Sequence, residues 1–211
     1  MSVLVAFIRE AQPGRVAEVR AALQHHASVA TQTCEGIRAY QVLQGRAQSN
    51  LYVDLVEWQS REAFEAARER LRATATDIGH LFLRPARVRV FRPLEVLRVQ
   101  PREATAVGVG LVRARPGLGD YYAALLRQRV REQYPSRPGL LAVGIYQVED
   151  AAEQFLVRTA WDHEQALLAY RAWVAREVFP TTDHLVARRE LLNLLARWHY
   201  REAPLACPAL V

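Results

Sequence analysis

The chain contains one module twice. Pro13-Gly14 recurs as Pro116-Gly117, Gly36 as Gly139, Tyr52 as Phe155, Trp58 as Trp161 and Ala63 as Ala166, each at the same offset of 103 residues. The apolar pattern keeps that register, with Phe64, Ala67 and Leu71 opposite Leu167, Tyr170 and Val174. An ungapped offset carried by two glycines and a tryptophan restricts the fold to two similar units of about a hundred residues. Two copies are too few for a solenoid, so a fused dimer is expected. Residues Leu94 to Glu103 are polar and carry Pro101, which sets the boundaries: a first module over 1–96, a linker over 97–104, a second module over 105–203 and a C-terminal tail over 204–211.

Bulk properties narrow the partners. The 211 residues carry a net charge of +6, yet there is no lysine and all 28 basic residues are arginine. Wholesale use of arginine fits a GC-rich genome, and no helix-turn-helix, zinc finger or RNA-binding aromatic motif accompanies it, so no nucleic acid partner is expected. The densest basic stretch, Arg84 to Arg92, alternates basic and apolar residues and reads as the solvated face of a strand rather than a phosphate site. No apolar run approaches the ~20 residues that span a bilayer, and Arg9-Glu10 interrupts the only apolar start, so neither membrane nor secretory leader is expected. Cys34 and Cys207 make no disulfide framework and no metal motif. A cytoplasmic protein follows as the expectation.

Along each module the same order of elements appears. In the first, Val3 to Arg9 reads as a strand, Arg15 to Thr33 as a helix with Val16, Val19, Leu23, His26 and Ala30 on one face, and Ile37 to Gln44 and Leu51 to Trp58 as a hairpin. Ser60 caps a second helix, and Ala86 to Arg92 is a last strand. The second module repeats this with strands at Ala106 to Arg113, Leu140 to Gln147 and Gln154 to Trp161, and helices at Leu118 to Tyr134 and Glu164 to Arg176. Its last strand lies within Leu191 to Tyr200, although Glu190 to Arg197 fits a helix equally well. The order β-α-β-β-α-β is the ferredoxin-like split unit. On the third strand Leu51, Val53 and Leu55 face one way and Tyr52, Val56 and Trp58 the other, so both sheet faces need burial. The predicted fold is α+β: tandem ferredoxin-like (βαββαβ) modules packed sheet to sheet as an intramolecular dimeric α+β barrel.

A strand, Pro13-Gly14, a helix, Glu35-Gly36, a hairpin holding Leu51-Tyr52 and Glu57-Trp58, and Ala63 at the next helix together resemble the antibiotic biosynthesis monooxygenase (ABM) family of the dimeric α+β barrel superfamily. Pro116-Gly117, Pro138-Gly139, Phe155, Trp161 and Ala166 echo the pattern, so the resemblance spans nearly the whole chain. It implies a cofactor-independent monooxygenase that oxidises an electron-rich aromatic or polyketide-like molecule with O2, through a substrate carbanion and with no cofactor or metal. The alternative is a non-catalytic module of the same fold that binds a hydrophobic or haem-like ligand or mediates assembly. The haem-degrading branch is similar too, and Val178 to His184 resembles its ligand segment, but neither first strand carries the Asn of that branch.

Such chemistry needs a few polar groups in an apolar pocket. The candidates for catalysis are His26, Tyr40 and His184, and for substrate binding Tyr52, Trp58, Tyr146, Trp161 and Trp173. Each has a plainer reading. His26 on an apolar stripe fits a hydrogen-bonded core histidine, and the shared Trp58 and Trp161 fit packing as well as chemistry. His80 and His184 follow the second helix of each copy and match best among the histidines. The second copy has Ala160 for Glu57 and Arg129 for His26, so the two pockets are not chemically equivalent. The expected partner is a small hydrophobic or aromatic molecule, and a homodimer of the fused pair is open through edge strands.

Overall fold

The structure, a computed structural model, describes residues 2–201. The first half comprises β1 (Val3–Glu10), α1 (Val16–Thr33), β2 (Ile37–Gly45), β3 (Leu51–Trp58), α2 (Arg61–Ile78) and β4 (Arg87–Arg98). The second comprises β5 (Ala106–Ala114), α3 (Gly119–Glu132), β6 (Leu140–Val148), β7 (Ala151–Trp161), α4 (Glu164–Trp173), the short α5 (Phe179–Thr182) and β8 (Val186–Arg201). Each half is the expected β-α-β-β-α-β unit. Cys207 and the tail over 204–211 lie outside the described residues.

Two of the repeated residue pairs turn out to be one contact each. Gly36 and Gly139 enter their hairpins at φ of 88° and 77°, a left-handed region that costs glycine no Cβ clash. A Cβ there would lie 2.9 Å from the Cβ of Ala63 and 2.7 Å from that of Ala166, respectively. The start of each hairpin is therefore pressed against the first turn of the following helix. Ser60 Oγ caps that turn in the first half, accepting from the Ala63 amide at 3.2 Å; His163 Nδ1 does so for Ala166 at 3.1 Å in the second.

The strands close into one barrel in the order β1-β3-β2-β8-β5-β7-β6-β4. Within each half the sheet is ordinary, and the outer strands of one half pair with those of the other, β2 with β8 and β4 with β6. Every strand stands four places around the ring from its repeat equivalent, so the pseudo-twofold axis relating the halves coincides with the barrel axis. Closure leaves no open edge among these eight strands, which removes the expected edge-strand route to a homodimer.

Strand alternation divides the core into three. Leu4, Ala6, Ile8, Val53, Leu55 and Leu156 fill the barrel. Tyr52, Val56 and Trp58 lie outside it under α1 and α2, and Phe155 and Trp161 lie under the helices of the second half. Two elements differ from the sequence reading, and a third resolves an ambiguity in it. β4 continues to Arg98, into the stretch read as linker, because β6 offers it a ladder. The ambiguous Glu190 to Arg197 is strand, since β5 and β2 flank β8 on both sides. Finally, α4 stops at Trp173 and passes into a π-helical turn, Val174–Val178, just before Pro180, which has no N–H for an α-helical bond. Among the described residues no helix is long and apolar enough to cross a membrane, and Cys34 is a free, buried thiol.

Candidate functional site

Each half directs some of its polar side chains into the layer between sheet and helices, and the two halves use it differently. In the first half Arg9, Tyr40 and Asp54 meet there at 6 %, 2 % and 0 % exposure. Arg9 Nη1 donates to Asp54 Oδ2 in a buried ion pair, and the Tyr40 hydroxyl donates to the same oxygen at 3.2 Å. The Arg9 guanidinium also stands 5.2 Å from the Phe7 ring centroid. Burial, reinforced by the Asp54 charge, holds Tyr40 well above the usual phenol range, so it acts as a donor. His26 projects into this region from α1; burial and then the Arg9 charge lower its pKa, against the pull of Asp54. It is a neutral imidazole at pH 7.

Tyr52 and Trp58 are structural in their contacts. The Tyr52 hydroxyl donates to the Val16 carbonyl at 2.9 Å and accepts from Gln44 Nε2 at 3.1 Å, tying the first turn of α1 to the hairpin. Trp58 packs on Phe64 with centroids 5.7 Å apart. Val5 and Phe7 press into the same layer, so the space is occupied.

At the equivalent positions the second half is stripped of this filling. Val112, Val143 and Val157 replace Arg9, Tyr40 and Asp54, and Gly108 and Gly110 replace Val5 and Phe7. A cleft of about 60 Å³ opens between β5, α3 and the π-helical turn. Arg129, the counterpart of His26, is 8 % exposed and donates through Nη2 to Thr181 Oγ1 at 3.0 Å. Burial lowers the pKa of Arg129, with Tyr122, Tyr134 and Tyr170 opposing. Arg171 is lowered by burial as well and donates to the Leu192 carbonyl. Arg189 donates to Thr182 Oγ1 at 2.7 Å, pairs with Asp183 and lies 4.4 Å from the centroid of Phe179.

Opposite these cations stands a tyrosine pair. The hydroxyls of Tyr134 and Tyr170 are 2.8 Å apart. Burial raises both pKa values, Tyr170 well above the usual range with the Tyr134 oxygen adding to it. Both are therefore proton donors at neutral pH. No carboxylate and no histidine lines the cleft, and among the described residues no carboxylate pairs with Arg129 or Arg171. A buried guanidinium without a counter-charge, as at Arg129, is costly, and with the half-buried Arg171 it gives the cleft a positive lining.

The sequence candidates of the second copy lie elsewhere. Tyr146 faces the barrel interior with Val148 and Leu156, because residues alternate along β6 and the helix-facing positions are Val143 and Ile145. Its pKa is pushed up to about 12 by burial and then by Glu57. Trp161 lies behind the cleft, 4.9 Å from Tyr170, and Trp173 packs on Tyr170 at 5.9 Å; both support lining residues without lining it. Arg137 covers Trp173 at 3.6 Å. His184 sits exposed on a 3-10 turn, Asp183–Leu185, outside the cleft. Tyr122, Tyr134 and Arg171 line the cleft without having been marked by the sequence, and Arg129 entered there only as the counterpart of His26. The signal available was Gly110 at the position where the first copy has Phe7.

Comparison with known proteins places this architecture. The family model described as antibiotic biosynthesis monooxygenase matches residues 1–76 and 106–179. No curated protein sequence matches the chain. Among solved structures, a candidate monooxygenase from Fusobacterium nucleatum is similar at 10% identity and a TM-score of 0.80, covering 97% of this chain and 96% of that one. An anthrone oxidase-like protein is similar at 15% identity and a TM-score of 0.74, over 99% and 96% of the two chains. A candidate monooxygenase from Lactobacillus acidophilus gives 11%, 0.72, and coverage of 95% and 96%. At such identities the likeness is one of fold.

Proposed function

Since the chain belongs to the antibiotic biosynthesis monooxygenase family, we propose that its second half binds an electron-rich phenol or enol as the anion and presents it to O2, as a cofactor-independent monooxygenase. The observation that carries this reading is the pair of guanidinium groups, Arg129 and Arg171, without a carboxylate partner beside the Tyr134–Tyr170 pair. Preorganised cations in a water-poor site favour the ionised form of a bound acid. The substrate's proton leaves to solvent, because the lining holds no base. The resulting carbanion forms a C–O bond with O2, and a tyrosine hydroxyl protonates the distal oxygen and takes a proton back from solvent. Loss of water from the hydroperoxide at a methylene carbon then leaves a carbonyl, so one oxygen atom enters the product and one leaves as water.

The first half supports this by what it lacks: its own layer is filled by Arg9, Tyr40, Asp54 and Phe7, so His26 and Tyr40 serve as its packing. The cleft of about 60 Å³ is far below the ~300 Å³ of a small ligand pocket. A ring therefore enters only as the π-helical wall, Val174–Val178, gives way. That small volume also favours the second reading, a non-catalytic binding or assembly module of the same fold.

Oxygen uptake decides between them. Purified protein with anthrones, quinols and catechols, and no added cofactor, is expected to consume O2 above autoxidation. Arg129→Leu, which removes a charge-assisted contact of about 1.5–3 kcal/mol, should lower that rate by roughly 10–100-fold. No uptake with any compound overturns the oxygenase assignment, and full activity in the variant overturns the placing of the chemistry beside Arg129.

A further inference from the structure

The barrel has two mouths, and they are chemically unlike. At one mouth the inward-facing polar residues pair with each other: Arg158 donates to Glu57 at 3.3 Å and to Gln41 at 2.8 Å. At the other mouth, strand alternation turns the interior from apolar to cationic. β4 runs inward-facing Phe91, then Arg89, then Arg87; β5 runs Val109, Leu111, Arg113; β8 runs Leu192, Glu190, Arg188. These arginines rim a hollow of about 260 Å³ floored by Ile8, Phe91, Leu111 and Val148.

The charges there do not balance. Arg113 is the direct ladder partner of Arg188 across β5 and β8, and like charges placed directly opposite each other destabilise a sheet. Glu190 is the one carboxylate in the lining, and it reaches Arg87 only at 3.9 Å. Among the described residues no carboxylate pairs with Arg89, Arg113 or Arg188. Gln154, the partner of Arg113 on β7, adds a neutral hydrogen-bonding group. Four converging guanidinium groups over an apolar floor form a receptor for an anion with a short hydrocarbon body.

We propose that this mouth is a second ligand site, separate from the helix–sheet cleft, that binds a small organic polyanion bearing two or more carboxylate or phosphate groups. The volume sets the size: 260 Å³ admits a molecule of small-metabolite dimensions and excludes a folded partner. The alternative occupant, an acidic peptide or a lipid headgroup, would have to insert its charges through a barrel end. The site requires no assumption about oxygenase activity.

The test uses full-length protein with citrate and pyrophosphate as probes, by calorimetric titration and by thermal unfolding, against sodium chloride at matched ionic strength. Arg89→Gln/Arg113→Gln is the variant; both residues lie outside the helix–sheet cleft. Wild type is expected to bind at least one probe saturably, with Tm rising as the probe concentration passes Kd. Affinity should fall with added salt and be weakened about tenfold or more in the variant. Without probe, the variant should match or exceed the wild-type Tm, since like-charge repulsion has been removed. Preference for citrate over pyrophosphate, or the reverse, assigns the carboxylate or phosphate source. No saturable binding of either probe up to 10-millimolar order, or equal binding by the variant, overturns the proposal. A variant that no longer unfolds cooperatively is replaced by Arg188→Gln alone, with the same criteria.

Discussion

Replacing Asp54 by Val, the residue found at the equivalent position 157, removes one partner of a fully buried ion pair while Arg9 remains 6 % exposed. An unpaired buried charge of this kind costs about 3–5 kcal/mol. The hydrogen bond that the Tyr40 hydroxyl donates to Asp54 at 3.2 Å is lost in the same step. Against a typical total stability of about 5–15 kcal/mol this is severe, and for a chain of this length it corresponds to a Tm lower by roughly 6–20 °C. The double variant Arg9→Met/Asp54→Val removes both charges and keeps the volume. What remains is the lost hydrogen bond between the Tyr40 hydroxyl and residue 54, at about 1–3 kcal/mol. The double variant is therefore expected to be more stable than Asp54→Val alone by roughly 2 kcal/mol, although it carries one more substitution. Urea unfolding followed by tryptophan fluorescence, with both single variants, closes the cycle. If the double variant loses the sum of the two single losses, the ion pair is not coupled and the account of the first half as a charge-stapled, filled layer fails.

Other consequences follow from the same asymmetry. His26 has a pKa lowered from 6.5, chiefly by burial. Between that lowered value and 6.5 the unfolded chain binds the extra proton, so His26 makes stability fall as pH drops below about 6.5. His26→Gln should flatten the change in urea midpoint between pH 7.5 and 5.5, and an unchanged slope would remove His26 from the explanation. In the second half, a Cβ at Gly110 meets its nearest neighbour, Leu191 Cδ2, at 3.4 Å. Gly110→Val is therefore expected to keep or raise stability by up to ~1 kcal/mol while filling the cleft and abolishing oxygen uptake. Retained uptake with an intact fold would place the chemistry elsewhere.

How much of this the sequence carried depends on which periodicity was being read. The 103-residue offset and the turn glycines made the fold legible, since Gly36–Ala63 and Gly139–Ala166 are physical contacts that survive divergence. The site was legible only in part. Alternation along Leu51 to Trp58 correctly sorted the two sheet faces, but the same rule on Leu140 to Val148 puts Tyr146 inside the barrel, among residues that never meet the helices. His184 repeats the place of His80, yet that place is a 3-10 turn at the surface in both halves. The cleft itself is made by absence, at Gly110 and Val157, and an absence becomes visible only when the two copies are subtracted from one another. The π-helical turn that walls the cleft leaves no comparable pattern in the sequence, because it depends on how α4 meets the short segment around Pro180.

The coincidence of the pseudo-twofold axis with the barrel axis has a consequence for how this molecule can change. In a homodimer of the same module every substitution arrives twice, once on each side of the axis. An arginine at position 87 would bring its own duplicate to the mouth, and glycines that hollow one layer would hollow both. Joining the modules on one chain breaks that compulsion. Arg87 has Glu190 as its symmetry mate, Glu10 has Arg113, and Asp54 has Val157. One layer is free to lose its filling while the other keeps the barrel shut, so mutational steps that would be lethal in duplicate become accessible one at a time.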